Sequence, residues 1–134
     1  MLDHHRALIY TMVIVSAADS ELPDSELRII GDIVRDLPVF RDFDEGELPR
    51  VLNDCTDLMS RENGLEQTLT AIKTALPAKL RETAYAIACD LVASDGEASQ
   101  GELRIIELIR HRLSLERLVA AAIERGARAR FQTL

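Results

Sequence analysis

Cysteine is nearly missing from this chain: Cys55 and Cys89 are the only two in 134 residues. They make no C-x-x-C pair and fall within strongly helical stretches, so a disulfide framework or zinc knuckle is not expected, and both read as small buried hydrophobes. No window holds the ~18 consecutive apolar residues of a membrane span. The opening stretch MLDHHRALIYTMVIVSAADS places an acid before its basic residue and has no small-residue cleavage site. A soluble cytoplasmic protein is the resulting expectation. Positive charge is also short, with a net charge of −7, which argues against nucleic acid as a partner because phosphate binding needs a concentrated basic surface. Aromatics make up 4% of the chain and are not interleaved with basic residues, so no stacking platform is expected. Ser-His-Asp and Cys-His arrangements and phosphate-cradling glycine loops are absent as well, and no enzyme is expected.

What is present is a 47% apolar chain of single-domain length, enough to bury a sizeable core as one domain over residues 1–134. Apolar residues recur at three- and four-residue intervals and nowhere alternate strictly, which predicts an all-α bundle of about seven helices. Helix one is predicted over 4–18 with Asp3 as N-cap, and helix two over 24–37, stopped by Pro38. The acids of DEGE at 44–47 mark the start of helix three, which Asn63-Gly64 ends. Helix four follows over 65–76, stopped by Pro77, and helix five over 78–94. Ser99 and Glu102 form a capping box for helix six at 100–112, and Ser114 opens a seventh helix that frays into RGARARFQTL. Apolar residues surround helices one and five on all sides, the pattern of a central buried pair.

Charge is distributed unevenly. Residues 1–62 hold fourteen acids and six bases, while residues 104–134 hold three acids, seven bases and His111. Such asymmetry is either two solvated faces or an electrostatic docking surface for a protein partner.

Residues 94–102 read SDGEASQGE and residues 18–26 read ADSELPDSE, each just ahead of LRII. At an offset of 76, Asp19 pairs with Asp95, Glu21 with Glu97, Glu26 with Glu102, and Leu27, Arg28, Ile29 and Ile30 with Leu103, Arg104, Ile105 and Ile106. Two copies at this spacing point to duplication of a helix-loop-helix unit, over about 4–37 and 78–113, with helices at 44–76 bridging them. The leucine and isoleucines are expected on the core faces of helices two and six. The carboxylates have no such explanation, since acids gathered in a short loop repel one another. Glu26 and Glu102 sit in a first helical turn, where the Cα–Cβ direction aims each back over its loop, and Gly96 accepts the positive φ of a tight turn. Asp19, Glu21 and Glu26, and likewise Asp95, Glu97 and Glu102, can therefore converge on a hard divalent cation such as Ca²⁺ or Mg²⁺, as in a shortened relative of an EF-hand loop. Helix capping and the macrodipole account for acids at 26 and 102 without any ion, but not for the Asp-x-Glu ahead of them.

These residues resemble the signature of the tellurite-resistance TerB-like family: a helix ending in Ala-x-Asp-Gly-Glu, then a Ser and a Glu opening the next. ASDGEASQGE at 93–102 matches it, AADSELPDSE at 17–26 matches more loosely, and the likeness covers the whole chain. The resemblance implies a compact helical bundle that binds divalent metal through Asp95, Glu97, Glu102, Asp19, Glu21 and Glu26. It further implies a stress-response or tellurite-resistance component or sensor, associated peripherally with a membrane complex. The domain is also similar to the N-terminal part of DnaJ-type co-chaperones. In the first copy Ser20 replaces the glycine and Pro23 the capping serine. The alternative is a metal-independent interaction module that docks through its helical surface.

The remaining polar residues have structural readings. His4 and His5 are expected to be solvated, and His111 to favour the negative end of helix six. Asp90 is expected to snorkel at the bundle edge or to reach the Asp95 loop as a further ligand. Tyr10 and Tyr85 are expected in the core or at its boundary.

Overall fold

Helical periodicity and helix-ending residues dictate the architecture. A computed structural model describes residues 2–18, 22–94 and 96–134. Among them the chain forms seven α-helices and no strand: α1 (His4–Ser16), α2 (Asp24–Asp36), α3 (Leu48–Met59), α4 (Gly64–Ala75), α5 (Ala78–Ser94), α6 (Gln100–Arg112) and α7 (Arg117–Arg130). The all-α expectation holds.

α1 is the axis of the bundle. Asp3 caps it by accepting the Arg6 N–H, and every side chain from Ala7 to Ser16 is buried. α5, α4, α3, α6 and α2 all pack against it, which is why its apolar residues have no polar face. α5 is the second buried helix, holding Ala84, Tyr85, Ile87, Ala88, Cys89, Leu91 and Val92 in the core between α1 and α7. α2 buries only Ile30 and Val34, so it lies at the periphery. Pro23 stands at its N-cap and provides no side-chain bond there.

Several boundaries differ from the sequence pattern. Helix three begins at Leu48, because DEGE forms a 3-10 turn at Glu45–Glu47 in which Asp44 accepts the Gly46 N–H. Ser114 does not open the seventh helix: it has a left-handed φ of 55° and lies in the turn after α6, where the Leu115 N–H reaches Arg110 O. Glu116 takes the N-cap position. α7 does not fray at RGARAR but runs to Arg130, held by buried Ala127 and by Arg130, which donates to Asp90 Oδ1 at 2.5 Å.

One glycine is fixed by space. A Cβ on Gly64 would stand 2.3 Å from Met59 O, because Asn63 at φ 58° folds the start of α4 back over the end of α3. No larger residue fits that corner without moving backbone.

The shared LRII of α2 and α6 does not turn the same face inward. α6 buries Glu102, Ile105 and Ile109, the i, i+3, i+7 stripe, whereas Leu103 lies about 100° away and is 48% exposed. The expectation that Leu103 is a core residue is thus corrected. In α2 the inward pair is Ile30 and Val34, which at the offset of 76 corresponds to Ile106 and Arg110 instead.

Candidate functional site

The α5–α6 connection is short: α5 ends at Ser94 and α6 begins at Gln100. Gly96 carries a φ of +85° within it, with open space where a side chain would stand, so the requirement for glycine here is conformational. Ser99 closes the loop. Its Oγ accepts the Glu102 N–H at 3.0 Å, and its own N–H donates to Glu102 Oε1 at 3.0 Å. The capping box expected from the sequence is therefore complete.

That box decides what Glu102 can do. The residue is 6% exposed, an unusual burial for a carboxylate, and Oε1 is occupied by the Ser99 N–H. A cation would have to be taken by Oε2. Glu97 is exposed and free to swing toward the loop; its Cα lies two residues from Ser99, within about 7 Å along the chain. Asp95 lies outside the described residues.

In the α1–α2 connection, Asp19 and Glu21 also lie outside the described residues, and Glu26 is half-buried in the first turn of α2. Ser16 ends α1 just before this loop, and its buried hydroxyl has no hydrogen-bond partner among the described residues. Sequence reasoning passed over it, since a serine at a helix end carries no distinctive signal. No group of three His, Cys, Asp or Glu side chains comes together among the described residues. The described oxygens are thus a buried carboxylate in α6 and a buried hydroxyl at the end of α1, one beside each loop.

Other candidates fall to structural roles. His5 is buried, contrary to expectation. Its Nε2–H donates to Val39 O at 3.0 Å and Asp42 Oδ1 at 3.1 Å, and its ring stacks on Phe40, so it ties α1 to the 38–43 segment. Asp90 pairs with Arg130 from α7; a contact with Asp95 falls outside the described residues. Tyr85 is fully buried, and its hydroxyl donates to Glu124 Oε2 at 2.6 Å. Desolvation, with help from that carboxylate, raises the phenol well above its usual range. Burial pushes both Cys55 and Cys89 up to about 12, so neither thiol suits redox chemistry at neutral pH.

These features define an all-α bundle with an acidic, box-capped loop leading out of its second buried helix. The chain belongs to the tellurite resistance protein TerB family, whose profile matches residues 5–124. No curated protein and no solved structure gives a significant match. No helix is long and apolar enough to cross a membrane among the described residues.

Proposed function

We propose that this tellurite-resistance-type domain is a divalent-cation module, with Ca²⁺ or Mg²⁺ held at the α5–α6 loop by Asp95, Glu97 and Glu102. A second, looser site lies at Asp19, Glu21 and Glu26. The observation that carries this reading is the buried carboxylate of Glu102, fixed by the Ser99 N–H at the mouth of a loop turned by Gly96. Capping needs one oxygen of that carboxylate. Its other oxygen, with Asp95 and Glu97 close by in sequence, would supply the all-oxygen ligands a hard cation uses. The positive end of the α6 macrodipole opposes the ion, and the small number of protein ligands leaves most of the shell to water, so the affinity is that of a sensor or weaker. Ion occupancy would then report cation levels to a partner, the role of a stress-response component.

Thermal unfolding with chelator, Ca²⁺ or Mg²⁺ tests the proposal. At ten times Kd an ion adds about 1.4 kcal/mol, or about 5 °C in Tm for a chain of this size. Glu102→Gln keeps the acceptor for the Ser99 N–H but removes the charge, and the expected result is an unchanged Tm in chelator with the ion response lost. An unchanged Tm of the unmodified protein in millimolar ion would sink the proposal.

A further inference from the structure

The geometry points to a second functional surface: the groove between α5, α6 and α7 binds an acidic amphipathic helix of a partner protein. The groove has a volume of about 720 Å³. Its apolar wall comes from Cys89 and Val92 of α5, Leu103 and Ile106 of α6, and Ala120 and Phe131 from the α7 side. Leu103 at 48% and Phe131 at 41% are large hydrophobics left in solvent on the two sides of one depression. Side chains at a helical spacing of i, i+3 or i+4, and i+7 are the natural filling for such a groove.

Charge selects the occupant. Arg110, Arg117 and Arg128 line the groove, and among the described residues none of the three forms an ion pair. The ion pairs of α6 and α7 are instead Arg112–Glu66 and Arg130–Asp90. Among the described residues two carboxylates also line the groove: Glu124, which accepts the Tyr85 hydroxyl, and Glu107, which lies 3.9 Å from His111 Nε2. Three guanidiniums against two carboxylates around an apolar floor leave the described lining net positive on a chain whose net charge is −7, which matches a helix with one apolar face flanked by Asp and Glu. The groove residues varied below are not among the cation ligands proposed above, while Gly96 and Ala98 of the cation loop close one part of the groove.

The test is to pan a displayed library of randomised helix-forming peptides on the intact protein, then measure the enriched peptides against variants in chelator, where the cation reading has no influence. The expected clones carry apolar residues at helical spacing flanked by Asp and Glu. Arg117→Glu with Arg128→Glu should weaken them at least about tenfold, as should Leu103→Ser. Leu118→Ser, also exposed but outside the groove, should leave binding unchanged. All four positions are exposed, and unaltered circular dichroism confirms folding. The proposal is overturned by failure to enrich any clone, by neutral or basic clones, or by clones indifferent to the groove variants. It is equally overturned if sedimentation shows that Leu103→Ser abolishes self-association, or if anionic vesicles occupy the groove in place of peptides.

Discussion

Glu102 closes a capping box and is also the ligand proposed for a cation, and the substitutions that separate the two roles lie within that box. Ser99→Ala removes the acceptor for the Glu102 N–H and should cost about 1 kcal/mol in denaturant unfolding. Glu102→Ala should cost a similar amount, because it strips the partner from the Ser99 N–H. Glu102→Gln should cost much less. If all three variants were equally stable, the box would not hold the loop in solution. Gly64 provides a harsher case: with Met59 O at 2.3 Å from any added Cβ, Gly64→Ala is expected to lower stability by about 2 kcal/mol or more. The box was legible in the sequence because Ser-x-x-Glu is a local pattern with a local cause. The burial of His5 was not legible. It depends on Val39, Phe40 and Asp42 arriving from 34 or more residues away, and nothing in HH announces that meeting.

At the scale of the elements, periodicity located all seven helices, and Pro38, Asn63-Gly64 and Pro77 marked the ends of three of them. The errors fall where a local signal had two meanings. DEGE favours any helical start, and the chain spends it on a 3-10 turn before α3. Ser114 is a good N-cap residue, but a left-handed turn after α6 claims it. The tail RGARAR looks polar and mobile, and tertiary contact overrides that: Ala127 is buried, and Arg130 meets Asp90 on α5. A half-exposed pair of this kind is worth no more than about 1 kcal/mol, so Asp90→Asn should shift Tm only slightly, whereas Ala127→Asp should unfold the end of α7. Hydrogen exchange at Glu124–Arg130 reads the difference. Protection lost in Asp90→Asn but kept in Ala127→Asp would mean that the ion pair, not the buried alanine, secures the helix. The face α6 turns inward was likewise hidden, since LRII places apolar side chains on nearly every side of one turn and only the packing of α1 and α5 selects Ile105 over Leu103.

At the scale of the whole molecule, α1 carries the core from one end to the other, and two of the groups packed in that core titrate at high pH. Burial pushes the Cys55 and Cys89 thiols from an ordinary 9.0 up to about 12. The unfolded chain therefore loses these protons first, so the stability they contribute is complete below about pH 9 and lost progressively between about 9 and 12. Unfolding midpoints in denaturant should be flat on the acid side of that window and fall through it. Both thiols should also resist a disulfide reagent at about pH 8 until the chain unfolds; rapid labelling of the folded protein would contradict their place in the core. The central claim, a cation at the α5–α6 loop, is tested most directly by amide chemical shifts during a Ca²⁺ and Mg²⁺ titration of the intact protein. Saturable shifts concentrated at residues 95–102, smaller ones at 19–26, and their loss in Glu102→Gln are the expected result. Shifts that never saturate, or that spread over all exposed acids and persist in Glu102→Gln, would contradict it.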